Sequence, residues 1–514
     1  MNNSIILSVA GNLAYRLADM YNHSVTHKLL VALSRWLKSY FDHSAIWAFV
    51  KSYENTSRFF EHSLCLKLLQ GGADGFLKVV RKIASWMDEV IKNSFAYKLF
   101  QYSVAGKLWD ALSRRFILII CFFIFIQSVV PFDSWHNQYG AGLILLITLL
   151  YLGKAAGDIR YGLAVKKLDF ALVLFILSIV IAAFTSITPA SSIKNLIFNG
   201  MSFLLVLVMV NTIKRKEELG VLVNWIMAAI TVTCFLGFWQ YIKGVPVDPL
   251  LVDIRFGTVG RVFSSMGNPN NYAEYLILTL PFYAAAFFNV RNIYWKFIIA
   301  GLTVLPLVNL VLTQSRGSWI GFAVAGFVFV FFKNRKLVPL FIILGFLAIP
   351  FMPPSIIARL NTIGKDTSSL YRLSIWDGAW RIIQDYWLTG TGLGTEPFRV
   401  LFNRYTNTPL PAHAHMLPLQ VWIELGLLGI GSLVWMVVRL VKKGLICVSE
   451  GKNTYLNNII IAGVSSLAGI LVVGLVEHVW FEPRILTMFW INIGILLAAL
   501  NLQNLKPRVL EPRN

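Results

Sequence analysis

The sequence predicts an all-α integral membrane protein of about twelve transmembrane helices, preceded by an N-terminal amphipathic helical region. Three observations predict it. Of 514 residues, 57% are hydrophobic and only 14% charged, against about 25% charged in soluble domains. Mean hydropathy is +0.65. From residue 116 onward apolar runs follow one another, and lysine and arginine cluster in alternate connections between them.

The runs are 116–131, 138–153, 168–188, 195–213, 219–242, 271–290, 297–314, 318–332, 337–353, 416–440, 457–476 and 485–504. The basic connections are Lys154/Arg160/Lys166/Lys167, Lys214/Arg215/Lys216, Arg291/Lys296, Lys333/Arg335/Lys336, Arg439/Lys442/Lys443 and Lys506/Arg508. By the positive-inside rule these face the cytoplasm, and both termini lie with them. The net charge of +21 is therefore expected to serve topology, and nucleic acid is not a predicted partner. The opposite, outer face carries two longer connections, about 243–270 and a large loop, about 354–415, between spans 9 and 10. Within that loop Leu370, Leu373, Trp376, Ala379, Trp380 and Ile383 suit an amphipathic helix, and loops of this length usually carry function.

Composition changes at Arg114–Arg115, dividing a basic cytoplasmic region, 1–115, from a polytopic membrane domain, 116–514. The first region carries a weak repeat: NHSVTHKLL (22–30), DHSAIWAFV (42–50), EHSLCLKLL (61–69), KNSFAYKLF (92–100) and the looser QYSVAGKLW (101–109). Each serine precedes an apolar-periodic stretch, as a helix N-cap does. Leu29, Leu30, Leu33, Trp36, Leu37, Tyr40 and Phe41 fall on one helical face. Phe76, Val79, Val80, Ile83, Met87, Val90 and Ile91 form another. Two readings stand side by side: short amphipathic helices on anionic lipid, or a small helical domain that binds a partner. His23, His27, His43 and His62 follow the repeat and are read as surface or capping residues. The N-terminus does not read as a signal peptide. Cys65, Cys121, Cys234 and Cys447 lack paired spacing, so neither a disulfide framework nor a zinc site is expected.

His136, His413, His415 and His478 all map to the outer face, where an imidazole can exchange protons at neutral pH. His136 and His413 are read as interfacial hydrogen-bonding groups. Arginines also gather there, against the topological trend: Arg255, Arg261, Arg316, Arg359, Arg372, Arg381, Arg399, Arg404 and Arg484. Arg316, in TQSRGSWIG (313–321), stands where one span ends and the next begins, and a charge so near hydrocarbon calls for a cavity or a partner. Guanidinium groups bind phosphate oxygens bidentately. Arg381, Arg399 and Arg404 fit pairing with nearby acids such as Glu477, Glu482 or Asp377, or with lipid headgroups. Glu477 suits either orienting a histidine or pairing with Arg484. Asn268, Asn270 and Asn271 suit either capping a span that starts near Tyr272, with Pro269 fixing the turn, or holding sugar hydroxyls. Gly390, Gly392 and Gly394 lack the β-α setting of a nucleotide loop.

MGNPNNYAEYL (266–276), SRGSWIG (315–321), YRLSIWDGAWRIIQDYWLTGTGLGT (371–395) and HAHMLPLQVWIELGLLGIG (413–431) occur in the order seen in the O-antigen ligase/O-antigen polymerase family, which the chain resembles over about 240–500. Met416 stands where that family usually has Asn, Ser or Gln, and Gly426 and Gly429 complete the last motif. The resemblance implies a GT-C-like glycosyltransferase fold and an undecaprenyl-pyrophosphate-linked glycan donor. It also implies a glycan or lipid acceptor and inverting transfer without a metal ion or other cofactor. It carries a catalytic role onto His415 and donor-phosphate binding onto Arg261 and Arg316, and more loosely onto Arg372. On their own chemistry His413, Glu477, Arg484 and Asn270 are candidate supporting residues. A secondary transporter for an anion such as bicarbonate is the competing plan for about twelve spans. The topology has its own test. With the native cysteines replaced by serine, a cysteine at Asn407 is expected to react with an impermeant maleimide added to intact cells. Labelling only after permeabilisation would reverse the orientation.

Overall fold

The computed structural model describes residues 63–248, 260–348, 367–406, 411–451 and 453–504, with six residues between 19 and 32. Arg255, Arg359, Asn407, Ser44, His27, His43 and His62 lie outside the described residues. The chain packs as two units, Met1–Leu66 and Lys67–Asn514. In the first unit His23 is exposed and bonds the Asp19 carbonyl at 2.9 Å, as a surface residue would.

Eighteen α-helices and no strand occur among the described residues. They are α1 (Leu64–Lys92), α2 (Phe95–Tyr102), α3 (Val104–Arg114), α4 (Ile117–Val129), α5 (Asn137–Gly157), α6 (Phe170–Phe184), α7 (Pro189–Thr212), α8 (Lys216–Lys243) and α9 (Pro269–Thr279). There follow α10 (Pro281–Asn289), α11 (Ile293–Leu312), α12 (Arg316–Lys333), α13 (Val338–Ala348), α14 (Thr367–Tyr386), α15 (Thr395–Tyr405), α16 (Leu417–Ser449), α17 (Thr454–Val473) and α18 (Pro483–Asn504). Eight of these, α5, α7, α8, α11, α12, α16, α17 and α18, are each long and apolar enough to cross a bilayer. This is an all-α, multi-pass membrane protein.

Every apolar run read from the sequence is helical, but not every run is one straight helix. Run 271–290 is broken into α9 and α10 by Pro281, which has no amide to continue the ladder. At Arg115–Phe116 the chain turns by 99° between α3 and α4. Run 337–353 ends, within the described residues, at Ala348.

The helices pack around α17 and α18, whose apolar windows are 83% and 89% buried. Small residues allow this: a Cβ added at Gly469 of α17 would lie 2.8 Å from the Gly321 carbonyl oxygen of α12. One end of the bundle gathers the basic connections. There Lys214 Nζ reaches the Arg160 carbonyl, Lys167 Nζ that of Val210, and Lys333 Nζ the Asn458 side chain. The other end gathers residues 128–136, 186–192, 240–248, 260–267, 313–316, 372–406, 411–424 and 474–484. Its ties include Val262 to Leu312, Ile187 to Thr391 and Leu417 to Gly474.

Serine N-caps occur as the repeat predicts. Ser63 accepts from the Leu66 amide, Ser94 from Tyr97 and Ser103 from Gly106. The helix after Ser63 is longer than expected, one 29-residue α1. Gln70 and Arg81 tie α1 to the carbonyls of Leu163, Ala155 and Tyr161, while Phe76, Val79, Ile83, Trp86 and Val90 stay exposed. The loop helix α14 also differs from expectation. Ile375, Ala379, Ile382 and Ile383 form a small separate core with Phe398, Leu401 and Phe402 of α15. Leu370, Leu373 and Trp380 of the predicted apolar face remain exposed.

Asp169, the N-cap of α6, joins that helix to α16 by ion pairs to Arg439 at 2.6 Å and Lys443 at 2.8 Å, with the Asp169 and Arg439 side chains fully buried. Removing the anion leaves buried positive charge uncompensated. Asp169→Ala is expected to cost about 3–5 kcal/mol, read as a lowered unfolding temperature of the detergent-solubilised protein.

Candidate active site

The last motif folds as a tight turn feeding α16. His415 has a left-handed backbone, φ 47°, which a non-glycine residue adopts only when its surroundings hold it there. They do so from both sides. Trp376 Nε1 of α14 donates to the Ala414 carbonyl at 3.1 Å, and the Ala414 amide donates to Gln420 Oε1 at 2.8 Å. Gln420 Nε2 in turn bonds Glu424 one helical turn on, at 2.7 Å. The His415 amide donates to His413 Nδ1 at 3.1 Å. Met416 is the N-cap residue of α16 and makes no side-chain cap bond; the Leu417 amide instead donates to the Gly474 carbonyl at 2.7 Å.

That last bond brings the α17–α18 loop beside the turn, and with it Glu477. Glu477 Oε1 lies 2.9 Å from His415 Nδ1 and accepts from the His478 amide at 3.2 Å; Oε2 accepts from Arg372 Nη2 at 2.9 Å. Arg372 and Trp376, four residues apart, use the same face of α14. Of the two roles the sequence allowed Glu477, it takes the first: it orients a histidine, and its cationic partner is Arg372 rather than Arg484. Burial would raise the Glu477 carboxyl, but the His415 hydrogen bond and the Arg372 charge outweigh it and hold the group well below the usual carboxylate range. Facing an ionised carboxylate, His415 Nδ1 must carry the hydrogen, which leaves Nε2 as the acceptor. Burial, with the neighbouring His415 and His478, lowers His413 to about 2, and burial lowers His478 to about 3, so both stay neutral. His413 stacks on His415 with ring centres 4.1 Å apart and on Phe481 at 4.5 Å.

A ligand atom from each of His413, His415 and Glu477 lies within 4.8 Å of the others, close enough to raise the question of a metal. His413 Nδ1 accepts from the His415 amide, His415 Nδ1 faces Glu477, and the guanidinium of Arg372 pairs with the outer oxygen of Glu477, so these contacts form a hydrogen-bonded relay. A histidine held at Nδ1 in this way keeps Nε2 for a proton or a metal.

The remaining predicted residues fall in three places. Arg261 is 6% exposed, donating from Nε to the Thr313 carbonyl at 2.8 Å and from Nη2 to Asn270 Oδ1 at 2.7 Å. Arg316, half-buried, opens α12 in the same 313–316 turn. Asn268 caps α9 by accepting from the Asn270 amide at 2.8 Å, with Pro269 following, so the capping reading holds and the helix begins three residues before Tyr272. Arg484 lies apart, buried against the carbonyls of Val130 and Ser265. Arg381 pairs with Asp377 at 2.9 Å, and Arg399 and Arg404 are exposed on α15. His136 precedes α5 and packs its ring on Tyr139.

The glycines serve close approach. Gly390, Gly392 and Gly394 all have positive φ, and a Cβ at Gly390 would meet the Glu424 carbonyl oxygen at 2.5 Å. The Thr391 and Gly392 amides bond the carbonyls of Ile423 and Glu424, clamping the loop against a break in α16 at Gly426 (φ 65°). Sequence reasoning missed Trp376, Gln420 and Glu274. The last is buried in α9, with Oε1 unpartnered among the described residues. The available signals were a carboxylate in the apolar YAEYL and a Gln and Glu one turn apart in LQVWIEL.

Residues 301–434 match the sequence model of the family described as O-antigen ligase. Over those residues, and no further, the chain is similar to the O-antigen ligase family. A Rickettsia felis protein named "Putative polysaccharide ligase" is 24% identical over 223 residues, 40% of this chain and 52% of its own. Relatives of the same description from Rickettsia conorii and Rickettsia typhi are 23% and 24% identical, over 40% and 37% of this chain and 51% and 50% of theirs. The chain spans about half the length of the curated relatives it matches. The family match covers α12, α14, the His415 turn and the first half of α16, but stops before Glu477.

Because His413 is held neutral, the unfolded chain binds a proton near pH 6.5 that the folded chain refuses. The stability this conveys is complete above about pH 6.5 and falls, by about 1.4 kcal/mol per pH unit, as pH drops below it. The unfolding temperature should decline between about pH 6.5 and pH 4.5. It should decline less in His413→Asn, which keeps an acceptor for the His415 amide without the titrating ring; equal slopes would refute the burial argument.

Proposed function

We propose that this chain is a membrane glycosyltransferase of the polysaccharide ligase or polymerase kind. It moves a glycan from an undecaprenyl-pyrophosphate-linked donor to an acceptor hydroxyl on a glycan or lipid, at the outer face of the cytoplasmic membrane. The observation that carries this reading is the line His415–Glu477–Arg372, with each Glu477 oxygen 2.9 Å from its partner. It sits at the end of the bundle opposite the lysine-rich connections, which the positive-inside rule assigns to the cytoplasm.

The acceptor hydroxyl is far too weak an acid to ionise at neutral pH. In the proposed step His415 Nε2 takes its proton as the oxygen bonds to the anomeric carbon, and the resulting imidazolium is stabilised by Glu477. The bond to the pyrophosphate oxygen breaks on the opposite side of that carbon, which inverts its configuration. The electron pair leaves with the pyrophosphate, whose growing charge Arg261, Arg316 and Arg372 offset. The proton then passes from His415 to water. None of these steps requires a metal ion. A transporter would want its charged groups midway along the helices, whereas these gather at one end. The 1–115 region is proposed as a cytoplasmic segment whose exposed apolar face on α1, flanked by Lys78 and Lys82, lies on anionic lipid.

With purified protein and a lipid-pyrophosphate-linked oligosaccharide, His415→Ala is expected to lower transfer by about 10²–10⁴-fold. Arg316→Ala should lower it by about 10²–10³-fold. Both variants should insert and elute as the unaltered protein does. Undiminished transfer by both would sink the assignment of roles.

A further inference from the structure

Arg484 is the second residue of α18 and is 2% exposed. Its Nη1 donates to the Val130 carbonyl at 2.8 Å and the Ser265 carbonyl at 3.1 Å, and its guanidinium carbon lies 5.0 Å from the Trp135 ring centre. Nε and Nη2 are buried too, and neither has a hydrogen-bond partner among the described residues. No carboxylate forms an ion pair with it there. The nearest, Glu482, accepts from the Arg484 backbone amide. Neutral carbonyls and an aromatic face do not neutralise a buried cation, and the Glu482 charge reaches it only without an ion pair, so the guanidinium keeps two buried donors open.

A cavity of about 350 Å³, counted out to its open mouth, lies against this side chain. Gln127, Trp135, Asn137, Ala141 and Ser202 line it with Arg484, and no acidic side chain does. Gln127 Nε2 is a second buried donor without a partner. The cavity shares no residue with the His415–Glu477–Arg372 cluster. It is narrow, with room for a single oxygen-sized group. Ile144, Phe198 and Leu486 give it apolar walls. Ile144 is seven residues into α5, so this wall is about 10 Å below the helix start, at the depth where headgroups meet hydrocarbon. Alongside, α5 turns Tyr139 and Leu145 outward.

We propose that this cavity binds the phosphate of a membrane phospholipid. One phosphate oxygen enters the narrow cavity and accepts from Arg484 and Gln127, while the ester chains pass out through the mouth into the bilayer. A phosphate diester supplies a negative charge and matches the fork of a guanidinium. The depth and the apolar walls favour a lipid over free phosphate. A lipid held there joins α4, α5, α7 and α18 beside the loop that carries Glu477.

Native mass spectrometry of the full-length protein, delipidated in detergent and titrated with phosphatidylglycerol, tests this. The unaltered protein should retain one phospholipid. Arg484→Gln and Ala141→Phe, the latter filling the cavity without touching the guanidinium, should each lower the retained fraction by about tenfold, as loss of one charge-assisted contact predicts. If Arg484→Gln fails to fold, Ala141→Phe carries the test by itself. Retention equal to the unaltered protein in the variants that fold overturns the proposal. So does displacement of the lipid by millimolar inorganic phosphate, which would make free phosphate the ligand.

Discussion

The site depends on one carboxylate kept charged where burial disfavours it. Glu477 lies in the short α17–α18 loop, and its side chain is only 16% exposed. Left alone in such a place a carboxyl takes up a proton, because the interior solvates charge poorly. Here the His415 ring, the Arg372 guanidinium and the His478 amide all donate to it. Those donors come from three different parts of the chain, so the anion fixes the positions of α14, the α16 turn and the α17–α18 loop at once. None of the three donors would have reason to converge without it.

The glycines make that convergence sterically possible. α16 enters the membrane only after a break at Gly426, and the 388–394 loop lies against the break with backbone on backbone. A Cβ at Gly426 would fall 2.2 Å from the Leu388 carbonyl oxygen. Because this contact is main chain to main chain, no neighbouring rotamer can relieve it. The break separates the first turns of α16, which carry Gln420 and Glu424 and brace the His415 turn, from the straight apolar remainder that spans the bilayer. Gly-x-Gly-x-Gly and Gly-x-x-Gly are thus two halves of one clamp, although each by itself suggests a phosphate loop or a helix-packing motif.

What was legible in the sequence was the pattern that lipid imposes: long apolar runs, basic turns on one side, and histidines and arginines concentrated on the other. Ser94 and Ser103 could be read as caps because capping is local, settled within three residues. Partnerships across the fold were not legible. Glu477 lies 105 residues from Arg372 and seven from Arg484, so proximity along the chain favoured the wrong arginine. Arg484 points instead toward Val130, 354 residues away, and only the tertiary fold decides that. The bend at Phe116 falls at the compositional boundary, whereas the break at Pro281 was passed over for a different reason. Hydropathy averages over a window and does not register where a ladder of hydrogen bonds is interrupted.

Three histidines meet at this site, and their environments give them different chemistry. His413 is buried and His478 half-buried, their tilted rings 5.3 Å apart, and burial keeps each neutral, so each serves as a polar wedge. His415 has a side chain 26% exposed and a carboxylate at Nδ1, so it alone has both a route to solvent and a counter-charge for a proton gained at Nε2. Its φ of 47° is the cost of presenting the ring there, offset by the bonds from Trp376 and Gln420 to Ala414. Motif matching singles out His415 of the three, but what sets it apart in the fold lies outside the motif. It is Glu477, beyond the matched 301–434 segment, whose carboxylate bonds the His415 ring.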